Sequence, residues 1–197
     1  GKHVRRKPFP DQAIESPEFI PALSGNVIAY VDMAFFAKNK YMVMVVPRLG
    51  NWLDIAPLDT KHTKKVVFAV AQMVGYLFGK QLKVTMIVSD RESALTAKDA
   101  IAILQGRAVE LSFSGASAKV PIIERALRSI QEIARCIVRS LRFPLFQTII
   151  HFIMEAAKWT MNMRRTRSNN NGPPAFQYVM GRKVNVTIDL RFVFGSY

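Results

Sequence analysis

Three carboxylates sit in segments that otherwise read as buried or purely structural: Asp32 within VIAYVDMAFF, Asp90 closing KVTMIVSD, and Glu124 in VPIIERALRSIQEIARCIVRSL. A lone acid inside an apolar strand is costly unless it is paired or holds a metal ion, so Asp32 needs a partner. Asp90 falls at the C-terminal end of a strand, the edge at which open α/β sheets build their sites. On a helix of about 3.6 residues per turn, Val120, Ile123, Leu127, Ile130, Ala134, Ile137 and Leu141 form one apolar stripe. Glu124 flanks that stripe, and Arg128, Gln131 and Arg135 continue from it as a polar row. Each acid also has an ordinary structural account. Asp32 can bond a neighbouring loop, Asp90 can cap the next helix in SDRESA, and Glu124 can pair with Arg128 at i,i+4, a contact worth only a few tenths of a kcal/mol. Three such accounts at once ask more of chance than one shared site.

The elements that must carry these acids follow from hydrophobic periodicity. GKHVRRKPFPDQAIESPEFIPALSG has four prolines and a basic cluster but no sustained period, and reads as an extended arm. NVIAYVDMAFFAKNKYMVMVVPRLGNWLDIAPL holds three β-rich runs joined by short turns at AKNK and LGN, an antiparallel meander. Thr63 to Lys80 places Val66, Val67, Val70, Met73, Val74 and Leu77 at helical spacing. KVTMIVSD is continuously apolar, which suggests a strand covered on both faces. Ser93 to Gln105 reads as a helix, AVELSFS as a short strand, and the Glu124 helix follows. A meander followed by βα alternation predicts an α/β fold, an RNase H-like mixed five-stranded sheet flanked by helices. The loop Ser112 to Lys119, small and polar around Gly115, is expected to be mobile, either as a gate beside the acids or as an ordinary linker.

Composition bounds the function. The chain has 197 residues, half of them apolar, enough for one good core. Its net charge of +14 exceeds what solubility needs and suits a polyanion, nucleic acid above all. Cys136 is the single cysteine, which excludes an internal disulfide framework, and His3, His62 and His151 are too scattered to complete a zinc cluster. A reducing compartment is expected. The most apolar helical segment, FPLFQTIIHFIMEAAKWTMNM, is interrupted by Gln147, His151, Glu155 and Lys158, so no membrane span is expected. The start at Gly1 and the lack of a signal peptide lead us to expect a piece of a longer chain.

GKHVRRKP, VDMAFFAKNKYMVMVV, LKVTMIVSDRESAL, VPIIERALRSIQEIAR, SLRFPL and the closing VMGRKVNVTIDLRFVFGSY resemble the integrase region of copia-type LTR retrotransposon polyproteins, across nearly the whole chain. The resemblance implies a retroviral-type integrase catalytic core spanning 26–165, preceded by a basic, proline-rich arm at 1–25 and followed by an extension with short strands at 166–197. It implies an Asp, Asp, Glu triad at Asp32, Asp90 and Glu124 that binds two divalent ions, Mg²⁺ or Mn²⁺, with Asp32 bridging them. In-line attack on a phosphodiester needs one ion to activate the nucleophile and another to stabilise the leaving oxygen, and hard cations prefer carboxylate oxygens. The implied activity is 3′-end processing and DNA strand transfer. DNA would lie along Arg128, Gln131, Arg135, Lys119 and the arm residues Arg5, Arg6 and Lys7. A homo-oligomer in an intracellular particle, in nucleus and cytoplasm, is implied as well. The chain departs from the family's pattern at Gln131, where the helix usually has lysine, and at Arg91-Glu92 after the second acid. The alternative is a catalytically degraded or host-adopted copy serving as a nucleic-acid-binding or assembly module.

Overall fold

The structure is a computed structural model that describes residues 25–90, 93–114, 121–164, 172–185 and 189. β1 (Gly25–Phe36), β2 (Asn39–Val46) and β3 (Trp52–Leu58) form the expected antiparallel meander. The first turn is tighter than AKNK suggests. Asn39 and Lys40 already belong to the ladder, opposite Phe36 and Phe35, so only Ala37 and Lys38 make the bend. Both take left-handed backbone angles, φ 47 and 68, as a two-residue hairpin link of this hand requires. The second turn is a 3₁₀ segment, Pro47–Leu49, closed by Gly50 at φ 66. A Cβ at Gly50 would meet the Tyr178 ring at 3.1 Å and the Ala175 Cα at 3.3 Å.

The chain then crosses the sheet through α1 (Thr63–Phe78) to β4 (Leu82–Ser89), which pairs parallel with β1. Next come α2 (Ser93–Thr96), α3 (Lys98–Gln105) and β5 (Glu110–Phe113), parallel to β4. The expected single helix from Ser93 to Gln105 is broken at Ala97, whose extended backbone (ψ 139) caps α3. The sheet order is β3-β2-β1-β4-β5, a mixed five-stranded sheet flanked by helices. α4 (Pro121–Ser140), α5 (Ile150–Met163) and α6 (Ala175–Met180) complete the described elements. α6 lies within 166–197, the segment expected to carry short strands, of which 166–171, 186–188 and 190–197 lie outside the described residues. Phe176 and Val179 are buried there, and Phe176 sets its ring edge-on to Trp159 of α5.

Strand alternation sorts the core into two layers. Val27, Ala29, Val31, Met33, Met42 and Met44 face α1, while Ala34, Phe36, Tyr41, Val43 and Val45 face α4 and α5. From the α4 stripe, Ile123, Ile130 and Ala134 are buried, and Leu127, Ile137 and Leu141 pack partly against the same layer. β4 corrects one expectation. Its Leu82, Val84, Ile87 and Ser89 are buried, but Thr85, Met86 and Val88 are only half-buried and Lys83 is exposed. The reason is that α4 packs over β1 and β2, and α5 over β3, so β4 is fully covered on one face only. At the margin of the sheet, buried Asn162 of α5 grips β3. Its Oδ1 accepts the Leu53 N–H and its Nδ2 donates to the Leu53 carbonyl, each at 2.8 Å. No helix among the described residues is long and apolar enough to cross a membrane.

Candidate active site

Strand parity gives Asp32 its direction. It shares the face of Tyr30, Ala34 and Phe36, the side on which α4 and α5 pack. It is half-buried, and its Oδ1 accepts the Met33 N–H at 2.6 Å. β1 and β4 run parallel, with Val31 opposite Ser89. The residues that follow that pair are Asp32 and Asp90, so the two acids leave adjacent strands at the same level, where strands lie about 4.8 Å apart. Asp90 is exposed and steadied from β5: the Ser114 N–H donates to the Ser89 carbonyl at 3.0 Å and the Ser114 hydroxyl donates to Asp90 Oδ1 at 2.8 Å.

Glu124 lies in the first turn of α4 with an exposed side chain, 3.8 Å from Arg128. That i,i+4 pair is long and solvated, so it stabilises the helix only slightly. α4 is tied to β1 further along, where the Gln131 side-chain amide donates to the Phe35 carbonyl at 3.2 Å. Gln131, expected to face DNA, thus spends one donor inside the protein. Arg128 and Arg135 on either side of it are exposed. The structure therefore brings Asp32 and Asp90 to one end of the sheet and sets α4 over β1. It does not gather the three acids around one point: among the described residues no group of three or more His, Cys, Asp or Glu side chains could hold a metal ion. Lys119, Arg5, Arg6 and Lys7 lie outside the described residues, as does, from residue 115 onward, the loop expected to be a mobile gate or linker.

A second polar cluster went unnoticed in the sequence. Asp54 and Lys158 are both buried, with Lys158 Nζ 3.4 Å from Asp54 Oδ1 and 2.6 Å from Glu155 Oε2. Burial lifts the Asp54 carboxyl above its ordinary value, against the charge of Lys158 and the Ile55 N–H bond. Trp52, Tyr76 and Trp159 wall a cavity of about 270 Å³ beside this pair. Among the described residues the buried Trp52 indole N–H has no acceptor. Nearby, the buried Tyr41 phenol meets His151 Nδ1 at 3.0 Å and is pushed up to about 12 by burial, with Glu155 adding to the shift. Asp54 could have been found by the argument applied to Asp32, since it too interrupts an apolar strand.

With this geometry in view, the fold has clear counterparts. The catalytic core domain of BIV integrase superposes with a TM-score of 0.62 at 14% identity, covering 79% of this chain and 95% of that one. The HTLV-2 integrase catalytic core domain, solved in complex with magnesium in a trimeric form, gives 0.62 at 16% identity, covering 80% and 99%. The chain has the fold of retroviral integrase catalytic cores. No protein-family model matches the sequence, and no curated protein does.

Proposed function

We propose that this chain is the catalytic core of a retroelement integrase of the copia type, acting by metal-dependent polynucleotidyl transfer on DNA ends. The observation that carries the reading is the Val31–Ser89 pairing, from which Asp32 and Asp90 depart side by side at the carboxyl ends of parallel strands. The integrase-core fold and the net charge of +14 support it. Asp32, Asp90 and Glu124 supply an all-oxygen donor set that suits Mg²⁺ or Mn²⁺. Two ions held there would supply Lewis-acid stabilisation of the attacking and leaving oxygens. The protein's own part is to fix Asp90 through Ser114, to present Glu124 from a helix seated on β1, and to hold phosphates with Arg128 and Arg135. Lys119 and the arm residues Arg5, Arg6 and Lys7 extend that surface in this reading. So does the division into arm (1–25), core (26–165) and extension (166–197). Exposed Phe68 and Phe78 of α1 and Phe152 of α5 suit assembly with further copies, inside a particle that passes between cytoplasm and nucleus.

Glu124→Gln should reduce Mg²⁺- or Mn²⁺-dependent strand transfer more than about a hundredfold while leaving DNA affinity at low salt unchanged. Arg128→Ala should weaken DNA binding first. One observation favours the alternative of a nonenzymatic binding module: Glu124 is turned to Arg128 rather than gathered with the two aspartates. On that reading the parent chain shows no transfer with either metal, and Glu124→Gln leaves DNA binding equal or tighter. That pair of results, obtained with folded multimeric protein and cognate ends, would overturn the enzyme reading.

A further inference from the structure

The β1–β2 hairpin outruns its neighbour. β1 pairs with β4 only as far as Val31–Ser89, whereas its pairing with β2 continues to Phe36–Asn39. The last five residues of β1 thus project by about 16 Å, at about 3.3 Å per residue. At this end Phe35 is 50% exposed. Lys40 lies directly opposite it across the ladder. Lys61, arriving from the β3–α1 connection, sets its ammonium 5.1 Å from the centre of the Phe35 ring. Lys38, at the tip, holds a left-handed conformation (φ 68) that glycine or asparagine would adopt with less strain. Asn39 braces the tip by donating to the Ala37 carbonyl at 3.2 Å and accepting from Gln147 at 3.0 Å. Against these lysines, the exposed acid on the same connection is Asp59.

We propose that this projecting end is a docking surface for unpaired DNA, with Phe35 as a stacking platform and Lys38, Lys40 and Lys61 as phosphate contacts. The aromatic selects the partner. A base inside a duplex has both faces covered by its neighbours, so an unpaired nucleotide can lay its ring on Phe35 where an internal base pair cannot, whereas lysines alone would take either form. On stacking, the base replaces the Lys61 ammonium at the ring and the lysine turns to the adjoining phosphate. Phe35 lies on the α1 side of the sheet and Asp32 on the α4 side. The platform therefore receives a strand led away from the acids rather than the strand held at them. The inference rests on DNA as the partner, not on catalysis.

The test uses the full chain and two fluorescent probes, single-stranded oligo(dT) of about 12 nucleotides and a blunt duplex several times longer, whose two end pairs are a small share of its bases, titrated across a series of salt concentrations. Phe35→Ala should weaken oligo(dT) binding at least about fivefold and change duplex binding less than twofold. Phe35→Trp should keep or tighten it, and Lys61→Ala should lower the oligo(dT) salt slope by about 0.7. The proposal is overturned if Phe35→Ala binds oligo(dT) like the parent, if Phe35→Trp loses as much as Phe35→Ala, or if both probes weaken equally. Salt-dependent duplex binding that survives such a result leaves DNA as the partner and removes the platform alone. Absence of salt-dependent binding to either probe removes both.

Discussion

Replacing Lys158 with methionine keeps most of the side chain's volume and deletes its charge, which isolates what that charge does for Asp54. Asp54 is 9% exposed and would retain the Ile55 N–H at 2.9 Å as its remaining hydrogen bond, with Glu155 still nearby. Removing one partner of a buried ion pair costs about 3–5 kcal/mol. The 3.4 Å separation is long for a charge-assisted bond, so the lower end, about 3 kcal/mol, is expected. With an unfolding entropy of about 2.1 cal/mol/K per residue over 197 residues, that loss lowers Tm by about 7 °C. The pH dependence follows from the direction of the Asp54 shift. Its carboxyl is raised in the folded state, chiefly by burial, so its contribution to stability is fully present below the unfolded value of about 3.9 and is lost as pH rises through the folded value. Lys158 is the largest influence holding that folded value down. Without it the value climbs further, and the variant's deficit is greatest at neutral and alkaline pH and shrinks on acidification. Urea unfolding at about pH 5 and about pH 8 measures this, and the double variant Asp54→Asn/Lys158→Met should recover most of the loss. A Lys158→Met protein within 1 kcal/mol of the parent at pH 8, or a deficit that does not shrink in acid, would refute the reasoning.

Lys38→Gly should raise stability by about 1 kcal/mol by relieving the left-handed backbone at the hairpin tip, while weakening DNA binding. Thermal unfolding and a salt titration on the same sample separate these effects. Asn162→Ala should cost about 2–4 kcal/mol, because the Leu53 N–H and carbonyl both lose their partner. Denaturant midpoints with an unchanged m-value would show that the loss lies in the folded state.

The meander, the mixed character of the sheet and the α4 stripe were legible because local signals agreed with the final packing. Apolar runs were bounded by turn residues, and the helical period held over twenty residues of α4. The break between α2 and α3 was not, since Ala97 carries no glycine or proline signal and its extended backbone is set by packing. AFQYVM has the composition of a strand, and becomes α6 because Phe176 and Val179 fit against the α1-side core and Trp159. Asp90 could be placed at the carboxyl end of its strand from the sequence, whereas Asp32, read as lying inside an apolar strand, is brought level with it by the Val31–Ser89 register. Glu124 could be placed on its helix but not turned toward them, because the direction of an exposed side chain depends on neighbours that strand and helix periods do not specify. The pairing of Asp54 with Lys158, unlike Asp54 itself, was hidden for a different reason. Lys158 comes 104 residues after Asp54, on a helix where it was read only as an interruption of an apolar segment.

The grip of Asn162 on Leu53 has a consequence for how copies of this chain can meet. β3 is an outer strand, and an outer strand ordinarily offers a row of unspent amides and carbonyls on which another extended segment can grow. At Leu53 a side-chain amide already fills both bonds that such an intruder would make. A sixth strand could be added there only by expelling a buried asparagine. Growth of the sheet from chain to chain, the geometry that leads toward fibrils, is blocked at that point. At that point of the β3 edge association is left to side chains, which can discriminate between surfaces in a way that backbone pairing cannot.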